Sequence, residues 1–205
     1  MRAMPTRLWP ALAALMAAAC SGQPTASTQQ SLAGVRVPRG ALPVLPARPA
    51  QADDPVRAGI APLLDGFEAS PSKEALLRHG DAGAVSAALG AIAQDPSQPT
   101  IRRLRAVSLL GYFPSDSTRV ALQSALAGSD LMRREALNAW ANAFGEEAVE
   151  RLSQALGHDD PFTRIVAVKA LGRIGSPGAR SAIEARMMIE TADPVRRAGA
   201  DALKR

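Results

Sequence analysis

Over the last hundred residues apolar positions recur at intervals of three, four and seven, the spacing of one buried face on an α-helix, and nowhere alternate as a half-buried strand would. The arginines set the register. Arg103, Arg133, Arg164 and Arg196 stand 30, 31 and 32 residues apart. Three residues after them come Ala106, Ala136, Ala167 and Gly199, then Leu109, Ala139, Ala170 and Ala202 at six, and Leu110, Trp140, Leu171 and Leu203 at seven. A second apolar cluster follows the first three anchors, with Leu122, Leu152 and Ile183 at nineteen residues and Leu126, Leu156 and Met187 at twenty-three. Two apolar helices per period of about 31 residues imply one helical hairpin per repeat, each stacked on the next to bury its face.

The polar positions between these clusters predict the helix ends. Asp130, Asp160 and Asp193 precede three anchors, where a carboxylate can accept the free N–H groups of a first turn, and Pro161 and Pro194 suit a first helical position. Gly111, Gly145 and either Gly172 or Gly175 mark the ends of the first helices. The predicted helices are 100–112, 116–127, 131–143, 146–157, 161–173, 177–190 and 194–204. Before them, residues 53–98 read as an irregular helical cap. DDPVRAGI (53–60) echoes a repeat start that Pro62 interrupts, and helices over 72–81 and 82–95 follow, the second with Val85, Leu89 and Ile92 on one face.

The run DPFTRIVAVKALGRIG (160–175) resembles HEAT-like repeats of the phycobilisome-lyase type, and ADPVRRAGADALKR (192–205) resembles the opening of another. MRREALNAWANAFG (132–145) and IRRLRAVSLLGYF (101–113) match less tightly. The resemblance implies an all-α fold over 99–205, a short α-solenoid of stacked two-helix repeats. It also implies a structural, inter-repeat role for Arg133, Arg164 and Arg196 with Asp130, Asp160 and Asp193, as a charge-assisted ladder. Arg103 has no matching aspartate.

The first 52 residues follow a different pattern. Arg2 and Arg7 precede an apolar run from Leu8 to Ala19, too short for the roughly 20 residues of a membrane span and followed at once by polar residues. Residues 1–19 are thus read as an export signal. The ending LMAAACS (15–21) resembles the lipobox of bacterial lipoproteins, with Ala17 where that family prefers leucine. The resemblance implies cleavage before Cys20 and acylation of its thiol, and Ser21 after the cysteine implies the outer membrane. Ordinary secretory cleavage, served by Ala17 and Ala19, is the alternative. Residues 20–52 then carry prolines at 24, 38, 43, 46 and 49 with little large apolar surface, the composition of a disordered tether.

Composition narrows the chemistry. Hydrophobic residues make up 47% of the chain but aromatic ones only 3%, so the core must be built from Ala and Leu on closely packed helices. The net charge of +5 is spread over mixed signs, which describes a solvated surface before a polyanion-binding one. A single cysteine excludes an internal disulfide. The two histidines, His79 and His158, are far apart, and His158 beside Asp159 and Asp160 reads as a capping loop rather than a metal site. No serine-nucleophile, phosphate-loop or HExxH motif occurs. Glu146, Glu147 and Glu150 suit a helix start, and Trp140 takes a core position.

The expected function is therefore a non-catalytic, membrane-anchored scaffold of the bacterial cell envelope, facing the periplasm, with no cofactor, no metal and no nucleic acid. Its expected partners are the membrane, through Cys20, and a protein or peptide on the repeat surface. The alternatives are a soluble secreted repeat protein, an accessory factor of a lyase-type enzyme and, last, a DNA-binding protein using Arg102, Arg103, Arg105, Arg133 and Arg134.

Overall fold

The computed structural model describes residues 54–66 and 70–204. The signal, Cys20 and the tether lie outside the described residues. Among those described, α1 (Pro55–Ile60), a 3-10 turn (Ala61–Leu64), α2 (Lys73–Leu77) and α3 (Ala82–Gln94) precede the repeats. Three hairpins follow: α4 (Thr100–Leu110) with α5 (Asp116–Leu126), α6 (Asp130–Phe144) with α7 (Val149–Ala155), and α8 (Pro161–Ile174) with α9 (Pro177–Met187). A final helix, α10 (Asp193–Leu203), opens a fourth unit.

The stack is all-α and two-layered. First helices pack in sequence, α4 on α6, α6 on α8 and α8 on α10, while each second helix also lies against the first helix of the next hairpin. The register read from the arginines is the packing register. Ala106, Ala136, Ala167, Leu109, Ala139, Ala170, Leu110, Trp140 and Leu171 are all buried, as are Leu122, Leu152 and Ile183 from the second helices. Small residues set the spacing of the first layer. A Cβ on Gly172 would stand 2.7 Å from that of Ala202, so α8 and α10 approach as only glycine and alanine allow.

Several boundaries differ from the prediction, each for a local reason. Of the two glycines expected to end α8, Gly172 lies inside the helix and Gly175 ends it in the left-handed conformation (φ 67°). Of the three aspartates, only Asp160 caps a helix, accepting from the N–H groups of Phe162 and Thr163. Asp130 and Asp193 are first helical residues, with Ser129 capping α6 and Ala192 standing before α10 without a side-chain bond. The predicted helix 146–157 starts as a 3-10 turn, Gly145–Ala148, and continues as the seven-residue α7. The cap helix predicted over 72–81 keeps only α2, and the interruption at Pro62 is the 3-10 turn after α1.

Candidate functional site

The second-helix layer is not uniform. Between α3 and α5 the helices nearly touch, because Gly90 faces Ala121 and a Cβ on Gly90 would sit 3.2 Å from the alanine's. Buried Ser86 adds hydrogen bonds across that junction, with its Oγ 2.9 Å from Ser117 Oγ and 3.2 Å from Ser115 Oγ. Between α5 and α7 the contact is sparse and a groove of about 540 Å³ opens. One wall is α5, with Asp116, Arg119, Val120 and Gln123, and the other is the 3-10 turn and α7, with Glu147, Glu150, Arg151 and Gln154. Trp140 of α6 forms the floor.

Two sequence features hold the groove open. Gly145 takes a positive φ of 52°, ending α6 abruptly. The 3-10 turn after it uses four residues, so the α-helical part of the second wall is only Val149–Ala155, against the eleven residues of α5. Long side chains then face each other where Gly90 and Ala121 meet in the neighbouring junction. Arg119 lies 4.1 Å from the Phe144 ring centroid and donates to Glu147 Oε2 at 2.9 Å, bridging the two walls. Arg151 covers Trp140, 5.3 Å from its ring centroid. Trp140 is 4% exposed, so it packs in the core and closes the groove from below. Asp116 and Glu150 have no cationic partner among the described residues.

The arginine anchors lie away from this groove, at the junctions between hairpins. Arg103 Nε donates to Ala93 O at the end of α3, and Arg133 donates to Leu126 O and Gly128 O after α5. Arg164 donates to His158 O and Asp159 O after α7. Arg103 and Arg133 thus reach the carbonyl end of the preceding helix, where free C=O groups and the negative end of the helix dipole favour a cation, whereas Arg164 holds the loop beyond α7. Arg103 does this without any aspartate.

Two of the three aspartates pair with their own anchors, but within one helix rather than as links between repeats. Asp130 pairs with Arg133 inside α6, at 2.5 Å, and Asp193 faces Arg196 inside α10 at 3.9 Å, both exposed. Asp160 reaches between hairpins, but to Arg134 rather than to an anchor, at 3.9 Å. The partner of Arg164 is Glu190, which the sequence reading missed. Its carboxylate accepts two bonds from Arg164 (2.8 and 2.9 Å), one from Arg186 and two from the N–H groups of Thr191 and Ala192. Arg164, the Ala192 N–H and Arg186, in that order, hold the Glu190 carboxyl down to about 2 against its burial. No sequence signal marks Glu190: Asp159 stands at the same distance from Arg133 without bonding it.

Nothing in the described residues gathers three or more His, Cys, Asp or Glu side chains as a metal site needs. His158 Nδ1 accepts from the Asp160 N–H at 3.0 Å, a loop contact. No described helix is long and apolar enough to cross a membrane.

No curated protein matches the chain in sequence. Among solved structures it is similar to human deoxyhypusine hydroxylase in complex with glycerol, at 29% identity and a TM-score of 0.49, over 60% of this chain and 42% of that one. The chain thus spans less than half the length of that protein. The family model of HEAT repeats matches residues 121–204, from within α5 through α10.

Proposed function

We propose that the chain is a non-catalytic scaffold that binds another protein in the α5–α7 groove, exported and held at the cell-envelope membrane by a lipid on Cys20. The observation that supports the binding reading is the groove between α5 and α7, beside the closely packed junction of α3 and α5. The groove leaves Val120 exposed on its wall, in a concave surface that also carries the amides of Gln123 and Gln154. Stacked repeats present extended surfaces of this kind to protein partners. The membrane reading rests on the arginine-flanked apolar run and the single cysteine at its end. Several acyl chains, each buried methylene contributing about 0.8 kcal/mol, hold a protein stably at a bilayer.

A photo-crosslinking side chain placed at Val120 in the full chain is expected to trap a protein partner in envelope preparations. The same group at exposed Ala200 on α10 is expected to trap nothing specific. Equal capture at both positions, or none at either, would remove the groove from the proposal. For the anchor, radiolabelled fatty acid should enter the wild type and not Cys20→Ala, and only the wild type should sediment with membranes. An unlabelled, soluble wild type overturns it.

A further inference from the structure

We infer that the α5–α7 groove takes a short extended segment of its partner that presents a lysine or arginine side chain between Asp116 and Glu150, next to an apolar residue on Val120. The inference rests on the binding role proposed above and names the chemistry of what binds.

Charge inside the groove is the first argument. Both of its guanidinium groups are already engaged, Arg119 with Glu147 and the Phe144 ring, Arg151 with Trp140 and, at 3.5 Å, with Gln154 Oε1. Three carboxylates face these two cations, so the groove carries one net negative charge, and Asp116 on one wall and Glu150 on the other stand in no ion pair. Both stand in first turns, where a helix favours an acid, but a helix start does not neutralise a carboxylate that also lines a concave surface. A cationic side chain entering between the walls meets two carboxylates. An anionic one meets their repulsion.

Size and hydrogen bonding set the shape of the segment. A volume of 540 Å³ is filled by about one turn of an α-helix 10–12 Å across, too little to hold a helix in place. A helix also satisfies its own main chain, whereas an extended segment brings free N–H and C=O groups. Gln123 and Gln154 supply amide donors and acceptors to both. Val120, 67% exposed on the wall, supplies the apolar contact.

The test begins with a displayed library of random short peptides selected on the full chain. Enriched peptides are expected to carry Lys or Arg beside an apolar residue. The tightest one is then titrated against Trp9→Phe, in which Trp140 on the groove floor is the sole tryptophan, so that a change in its emission reports occupancy. In that background Asp116→Asn with Glu150→Gln should weaken binding about tenfold or more and flatten its salt dependence, while Asp116→Lys with Glu150→Lys should select acidic peptides instead. Unchanged thermal melting of both variants shows that the fold is intact. No enrichment, enrichment of peptides without a cation, or full binding by the neutralised variant would each overturn the inference. A partner trapped at Val120 through a segment lacking Lys and Arg would leave the scaffold standing and remove only the cation.

Discussion

The junctions α3–α5 and α5–α7 share one helix and differ in almost everything else. On one side α5 offers Ala121 and the hydroxyls of Ser115 and Ser117, and α3 answers with Gly90 and Ser86, so the helices close. On the other it offers Arg119, Val120 and Gln123 to Glu147, Glu150 and Arg151, and the helices stand apart. A repeat protein needs apolar contact between neighbours for stability, so an open junction is tolerated only if its walls are fixed from elsewhere. The far wall is fixed from behind. Arg164 grips the backbone of His158 and Asp159, just past α7, and is itself gripped by Glu190.

The largest expected effect comes from removing that support. Glu190→Ala leaves Arg164, 8% exposed, with a buried unpaired charge, and should cost about 3–5 kcal/mol in urea unfolding. Hydrogen exchange should quicken across α7–α9 and leave α3–α5 protected. Equal loosening of both junctions would mean that the groove wall does not depend on the clamp. Acid probes the same contact. The Glu190 carboxyl is held at about 2 in the folded chain, against an ordinary value near 4.5. Its contribution is therefore complete above about pH 4.5 and is lost as pH falls toward 2. Urea midpoints should drop over that window, and less in Glu190→Gln. The hydroxyls at α3–α5 carry no such titration.

Next in size is a test of what closes α3–α5. Gly90→Leu drives a branched side chain into Ala121, and overpacking of about 1–3 kcal/mol should outweigh the roughly 1 kcal/mol that a helix gains on losing a glycine. Val120→Leu, a similar enlargement facing the open groove, should stay within about 0.5 kcal/mol. Comparable losses at both sites would show that the groove is packed after all.

The fold was legible because its signal is periodic. Ala106, Ala136 and Ala167 recur at one step and are buried for one reason, the close approach of first helices. The groove was not legible, because it arises from two helices that fail to meet. Glu146, Glu147 and Glu150 read as ordinary helix-start acids, and nothing in GEEAV distinguishes a 3-10 turn from an α-helix. Trp140 was placed correctly in the core, and only its position between two separated helices makes it a floor. The arginines were legible as recurring residues, and Asp130 and Asp193 as partners of Arg133 and Arg196, but their main-chain partners and Glu190 were not. A backbone carbonyl such as Ala93 O has no sequence signature, and Glu190 lies 26 residues from Arg164 in a turn specific to one repeat.

A smaller loss should follow Ser86→Ala, which deletes the hydroxyl bonds across the closed junction. Ser115 and Ser117 keep each other, and Ser115 also keeps Thr118, so no buried group is orphaned and about 1 kcal/mol is expected. Double-mutant cycles with Ser117→Ala should recover part of it as coupling.

The smallest effect should come from Glu147→Ala, across the open junction. The pair it breaks is the one ion pair recorded between the walls, but Arg119 is 43% exposed and Glu147 69%. At that exposure water screens both charges, and the side-chain entropy regained on release offsets what attraction remains. The change in unfolding free energy should be below about 0.5 kcal/mol, with Arg119 still resting on Phe144. A loss well above 1 kcal/mol would make the pair a strut, and the openness of the groove would then depend on one ion pair and collapse at high salt. If the loss is small, the separation of α5 and α7 follows from the bulk of the facing side chains and the 3-10 turn from Gly145 that shortens α7, which salt does not change.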